Sequence, residues 1–232
     1  MQVTEAIILA GGLGTRLRSA VPDLPKCMAP VNGQPFIYFV IRYLKRQGIK
    51  HFIFSLGYKS EAFTGFIQQH ISEKEYSIVI ESEPLGTGGA IKFALKAAKT
   101  ENVLVVNGDS LFEVFLPAAL EKHIASKAAC TLVLKPMKDF DRYGVVELNS
   151  DNSISLFKEK QQYAAGLING GVYLLNKDSF LEEALPEKFS FETDYLQKLY
   201  SQRKFFGLIQ EGYFIDIGIP EDYAKAQKDL TV

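Results

Sequence analysis

The run Ala6-Ile7-Ile8-Leu9-Ala10-Gly11-Gly12-Leu13-Gly14-Thr15-Arg16-Leu17 governs how the rest of the chain is read. Its first half is apolar on both faces, the pattern of a strand buried in a parallel sheet. Its second half breaks into glycines, which let backbone N–H groups turn toward a ligand and approach it closely. A cation stands at each end of the loop region: Arg16, and Lys26 after Pro25. Two cations flanking a nest of amides suit charge dispersed over a polyphosphate. A strand-exit turn with no ligand would use the same glycines but would have no need of the cations.

Two better-known phosphate loops are excluded. The Walker pattern needs Gly-Lys-Ser/Thr after four intervening residues, and this chain has no such sequence here. The dinucleotide pattern G-x-G-x-x-G starts well at Gly12 and Gly14 but finds Leu17 in place of the third glycine.

The chain has 232 residues, enough for one large domain with a substantial core. It is 47% hydrophobic and 23% charged, ordinary values for a globular protein, with a formal net charge of -1. That balance argues against nucleic acid or an anionic membrane as partner, so any phosphate affinity is local. No apolar run reaches the roughly 20 residues of a membrane span. Gln2 and Glu5 replace the basic start of a signal peptide, and a cytoplasmic protein is expected. Cys27 and Cys130 offer neither a disulfide framework nor metal-ligand spacing.

Strands and helices alternate outward from the opening run. Pro35 starts a helix that Gly48 ends. Strands are expected at 51–56, 76–80 and 102–109, with helices across 60–71, 87–98 and 116–127 and an extended run at 130–134. This alternation predicts an α/β fold with helices on both faces of the sheet. After Pro136 the pattern changes. Residues 145–148 and 154–157 predict a hairpin about the Ser150–Ser153 turn. Residues 170–175 predict another strand, 177–183 and 191–200 helices, and Pro220 the start of the last helix. A second hairpin is expected between 205–209 and 213–217, turning at Glu211-Gly212. There is no linker and no hexapeptide repeat, so a C-terminal β-helix domain is not expected.

Leu9-Ala10-Gly11-Gly12-Leu13-Gly14-Thr15-Arg16-Leu17 with Pro25-Lys26 resembles the signature of the sugar-phosphate nucleotidylyltransferases. These enzymes join a nucleoside triphosphate to a sugar 1-phosphate and release pyrophosphate. Further likenesses occur in the family's order: Glu83–Ala90, Asn107-Gly108-Asp109, Tyr143–Val146, Phe157–Lys160, Asn169–Tyr173 and Phe214–Pro220. The resemblance implies a Rossmann-like three-layer αβα fold with a mixed, mostly parallel sheet. It implies one domain over 1–232, with a nucleotide-binding part of about 1–135 and a sugar-phosphate part of about 136–232.

It also implies roles. Asp109 and Asp216 would hold Mg²⁺, whose hard-ion chemistry suits carboxylate oxygens and substrate phosphates. Arg16 would bind the leaving phosphates, and Lys26 would neutralise the α-phosphate and the incoming sugar phosphate. Leu9, Gly11, Gly12, Gly14, Thr15, Glu81, Gly86 and Thr87, with Glu83 beside them, would serve the nucleotide. Tyr143, Gly144, Glu159, Lys160, Asn169 and Gly171 would serve the sugar phosphate. Cys27 reads as a small packing residue.

Several phrases, among them Asp23–Lys26 and Gly166–Gly171, resemble most the short guanylyltransferase branch that acts on a heptose 1-phosphate to make a nucleotide sugar for surface polysaccharide. Cys27 and Phe191-Glu192-Thr193-Asp194 depart from that branch and leave the sugar open, with mannose or another hexose 1-phosphate as the alternative. A homo-oligomer is compatible with the sequence. A metal-dependent glycosyltransferase would want Asp-x-Asp, where Asp109-Ser110-Leu111 supplies one carboxylate. A non-catalytic nucleotide sensor would not need Arg16, Lys26, Asp109, Lys160 and Asp216 together.

Overall fold

A computed structural model of the chain describes residues 2–12, 17, 21–57 and 59–231. The opening apolar run forms β1 (Glu5–Leu9), with Ala6, Ile7 and Ile8 fully buried. A small ribbon, β2 (Pro30–Val31) and β3 (Gln34–Pro35), leads into α1 (Phe36–Arg46). Then come β4 (His51–Leu56), α2 (Glu61–His70), β5 (Tyr76–Ile80), α3 (Gly86–Leu95), β6 (Asn102–Asn107), β7 (Ser110–Phe112) and α4 (Leu116–Ala125). The second half carries β8 (Cys130–Phe140), β9 (Val145–Leu148), β10 (Ile154–Lys158), β11 (Tyr163–Asn176) and α5 (Lys177–Leu181). A wide π-helical turn at Phe191–Leu196 runs into α6 (Gln197–Leu199), and β12 (Phe205–Ile209), β13 (Phe214–Asp216) and α7 (Pro220–Asp229) close the chain.

The main sheet has the order β10-β9-β11-β6-β1-β4-β5, with β8 on β11 and β12 on β8. It is parallel from β5 through β4 and β1 to β6, and again between β8 and β12. It turns antiparallel where β11 joins β6, β8 and β9. Alternation along each strand divides the core between the faces. Ile8, Phe52, Phe54, Leu104 and Val106 pack with residues of α1, α2, α4 and α7. Ile7, Ile53, Val103 and Val105 pack with residues of α3 and α5 and with Phe191 and Tyr195 of the π-helical turn. Burying each isoleucine of β1 is worth about 1.5–3 kcal/mol, which fixes this strand at the centre. The three-layer αβα arrangement expected from the sequence is present.

The end of α1 shows how local chemistry sets the entry into the next strand. Gly48 sits at φ +91, its N–H bonds to Lys45 O, and the Ile49 N–H bonds to Leu44 O. This paired closure satisfies carbonyls at the helix end and needs a residue that tolerates the left-handed region. The chain then enters β4 beside β1.

One expectation is corrected. The hairpin at 145–148 and 154–158 forms, but 205–209 and 213–217 do not pair with each other. β12 instead lies parallel to β8, and β13 lies antiparallel to β7 in a separate two-stranded ribbon. The alternation in each segment reported that it is half-buried; it carried no information about its partner. β8 and β11 also run well past their expected ends, pairing from Tyr163↔Phe140 to Leu175↔Cys130. Lys135, Lys138 and the small residues after Tyr163 hide that extension from hydrophobic periodicity.

Candidate active site

From β1 the sheet grows through β4 to β5, then the chain returns to place β6 on the other side of β1. Parallel sheets bind ligands at such a reversal, outside the carboxyl ends of the strands. A cavity of about 590 Å³ opens there, lined by residues including Gly11, Gly12, Lys26, Asp109 and Glu81. Its floor includes a row across three strands: Leu9 is in register with Ser55 of β4 and with Asn107 of β6, and all three line the cavity. Gly108 N–H bonds to Leu9 O at 2.9 Å, so the chain leaves β6 tight against the end of β1 and presents Asp109 at the cavity wall.

The β7–β13 ribbon brings the second carboxylate to the same place. Asp216 is in register with Ser110, the residue after Asp109, and Ile217 N–H bonds to Asp109 O at 3.2 Å. Lys26 enters from a short turn anchored by the buried Cys27 and Met28. Its ammonium donates to Asp109 Oδ2 at 2.7 Å and to Asp216 Oδ1 at 2.8 Å. Burial alone would lower the Lys26 pKa, but Asp109 and Asp216 outweigh it and hold it above the ordinary lysine value. Tyr143 OH donates to Asp216 Oδ2 at 3.4 Å, and burial with the Asp216 charge keeps the phenol protonated. A Cβ on Gly218 would come within 3.0 Å of Asp216 Oδ1 and 3.1 Å of Lys26 Nζ, so glycine keeps room for the cluster.

The other sequence-derived candidates divide into three groups. Gly14, Thr15 and Arg16 lie outside the described residues. Leu9, Gly11, Gly12, Glu81, Glu83, Gly86 and Thr87 line the cavity with Lys26 and Asp109. Tyr143, Gly144, Glu159, Lys160, Asn169 and Gly171 do not line it. Of these, Tyr143 touches Asp216, and Gly171, at φ +71, lies against the Asn107 amide, where a Cβ would come within 2.6 Å. Asn169 is tied to Tyr173 OH and the Gly171 N–H, while Glu159 and Lys160 are exposed beyond β10.

The nucleotidyl transferase family matches residues 5–232. The chain belongs to that family. It is 53% identical to D-glycero-alpha-D-manno-heptose 1-phosphate guanylyltransferase of Aneurinibacillus thermoaerophilus over 97% of this chain and 98% of that protein. It is 48% identical to the protein of the same description from Campylobacter jejuni over 94% of this chain and 96% of that one. Among solved structures, HddC from Yersinia pseudotuberculosis complexed with GMP-PN superposes with a TM-score of 0.87 at 36% identity, covering 99% of this chain and 100% of that one.

Within this nucleotidyl transferase, the glycines after Pro84 have packing duties that the sequence did not show. A Cβ on Gly86 would meet Phe189 O at 2.5 Å, one on Gly88 the Phe189 ring, and one on Gly89 the Glu187 O at 2.3 Å. Thr87 is engaged likewise, donating to Glu192 Oε2 at 2.8 Å and accepting from Phe191 N–H at 2.9 Å. Glu81 Oε2 accepts from Leu85 N–H, which steadies the loop above the floor. Ser55 and Glu192 line the cavity without having been singled out from the sequence. Ser55 carried no signal beyond being one polar residue in an apolar strand, and Glu192 comes to the cavity from a distant segment, held there by Thr87 and Ser190.

Among the described residues no group of three or more His, Cys, Asp or Glu side chains is placed to hold a metal ion. Two carboxylates on one cation still fit a small hard ion, because Mg²⁺ takes one or two carboxylates and fills its remaining positions with water and phosphate. Cys27 and Cys130 are free and buried, and burial pushes both thiols up, in keeping with packing roles.

Proposed function

We propose that the chain transfers GMP from GTP to D-glycero-α-D-manno-heptose 1-phosphate and releases pyrophosphate. The observation that carries the reading is the meeting of Lys26, Asp109 and Asp216, with Lys26 and Asp109 lining, beside Gly11 and Gly12, a cavity of nucleotide size. Its support on the substrate side is likeness along nearly the whole length to two heptose 1-phosphate guanylyltransferases.

The reaction brings a sugar-phosphate oxygen up to the α-phosphorus of a triphosphate, so two anions must be held in line. Catalysis is then chiefly positioning and charge stabilisation, with no covalent intermediate on the protein. In this reading the backbone of Gly11 and Gly12 cradles the phosphates, joined by Arg16. Lys26 neutralises charge between the two substrates. Asp109 and Asp216 hold Mg²⁺, which when bound would neutralise charge on the phosphate oxygens at the reacting centre. Glu81, Glu83 and Glu192 line the cavity as acceptors, which suits the N–H groups on the Watson–Crick edge of guanine. Tyr143, Gly144, Glu159, Lys160, Asn169 and Gly171 are assigned to the sugar phosphate, with Tyr143 linking that group to Asp216. No helix among the described residues is long and apolar enough to cross a membrane, and the reading puts the protein in the cytoplasm with its triphosphate.

The test is product identification. Incubation with GTP, the heptose 1-phosphate and Mg²⁺ should give a GDP-heptose mass together with stoichiometric pyrophosphate, and excess chelator should stop both. Absence of the nucleotide-sugar mass under conditions where the protein binds GTP would overturn the proposal.

A further inference from the structure

The Lys26 ammonium occupies the position between Asp109 and Asp216 where a divalent ion would bring the two carboxylates together. Its side chain is only 10% exposed, and it spends two short hydrogen bonds on the pair. Like charges facing one another at this spacing repel unless a cation lies between them. A lysine on a flexible four-carbon stem can fill that place and also leave it, which a fixed guanidinium fork does less easily.

We propose that Lys26 is an exchangeable cation for the carboxylate pair: it holds Asp109 and Asp216 together in the free protein and yields them to a divalent ion once a triphosphate offers the ammonium another anion. The inference rests on the reading of Asp109 and Asp216 as metal ligands and adds how that site is kept before substrate arrives. The geometry has three consequences. Metal binding to the free protein is a competition with an internal ammonium and is therefore weak. Triphosphate relieves the competition, so nucleotide and metal reinforce each other's binding, reciprocally. The pair also never stands as two bare carboxylates, which explains how the β7–β13 ribbon keeps both at one point. Gly218, whose Cβ would crowd both partners, keeps the ammonium's place open.

The experiment is Mn²⁺ binding to the nucleotide-free protein, read as loss of the free-ion electron paramagnetic resonance signal. Lys26→Met should bind Mn²⁺ about tenfold more tightly than the parent protein, the equivalent of about 1.4 kcal/mol. Lys26→Arg, which keeps the charge, should bind as weakly as the parent. Adding Asp216→Asn to Lys26→Met should abolish the gain. Equal affinity in Lys26→Met and the parent overturns the exchange. A gain that survives Asp216→Asn overturns the ligand assignment beneath it, so the two failures are distinct. A second readout needs no variant: the ¹⁵Nζ resonance of Lys26 in the parent protein should move when Mg²⁺ is added with a non-hydrolysable triphosphate. A resonance that stays in its free-protein position overturns the proposal.

Discussion

Lys26 reaches carboxylates 83 and 190 positions further along the chain, and the chemistry proposed for the protein hangs on that meeting. Asp109 is 38% exposed and Asp216 20%, so neither supports the core and either can be changed without opening it. Asp109→Asn should lower turnover by at least about 100-fold while the melting temperature stays within a few degrees; full activity would remove the metal assignment. Ser55 gives the opposite kind of prediction. Its hydroxyl is buried and has no hydrogen-bond partner among the described residues. Removing an unsatisfied group costs little or helps, so Ser55→Ala should leave stability unchanged or raise it by up to about 1 kcal/mol in urea unfolding. A clear loss would mean that the hydroxyl has a partner in the folded chain. At this scale Asp109 was legible from its place after an apolar strand. Asp216 was legible only through its likeness to a family segment, and its pairing with Lys26 was not legible, because spacing along a chain says nothing of a ribbon that folds back between residues so far apart.

At the scale of elements, the N-terminus of α3 is clamped by the segment before the π-helical turn: the Gly88 and Gly89 N–H groups both donate to Phe189 O. Gly89→Ala would drive a Cβ toward Glu187 O at 2.3 Å and Leu85 Cβ at 2.8 Å. Overpacking of this kind should cost about 1–3 kcal/mol in unfolding and raise KM for the triphosphate more than it lowers kcat, because the displaced loop lines the cavity proposed for the nucleotide. In the sequence these glycines belong to the family-like segment Glu83–Ala90, where Gly86 and Thr87 are expected to serve the nucleotide; their packing duty depends on a segment about a hundred residues away and left no local trace. The joint between α4 and the sheet makes a pH prediction. His123 is buried between Thr131 Oγ1 at 2.9 Å and Asn102 Oδ1 at 3.2 Å, and burial lowers its pKa from 6.5 to about 4. Between those values the unfolded chain takes up a proton that the folded one refuses. The stability is therefore whole above about pH 6.5 and falls by up to roughly 3 kcal/mol as the pH drops toward 4. His123→Gln should flatten that part of the unfolding curve, whatever it does to stability at neutral pH; an unchanged slope would refute the assignment.

For the whole molecule, alternation of apolar strands with amphipathic helices was enough to indicate the three layers, because the central parallel strands β1, β4 and β6 are buried on both faces. The same signal failed where β12 and β13 part company, since half-buried strands of similar pattern can join different partners. The cavity was legible in outline through the glycine run and Lys26, and not in its outer wall, where Glu192 arrives from another part of the fold. Taken together, the switch point between β1 and β6, the carboxylate pair and the acidic lining support the proposed transfer of a nucleotide, and likeness to two heptose 1-phosphate guanylyltransferases supports the proposed sugar. The measurement that tests this most directly is kcat/KM for pyrophosphate release across GTP, ATP, UTP, CTP and dTTP, each with the heptose 1-phosphate and with mannose 1-phosphate. The account predicts that GTP with the heptose 1-phosphate exceeds every other pairing by about 100-fold or more; another base or mannose 1-phosphate serving equally well would contradict it.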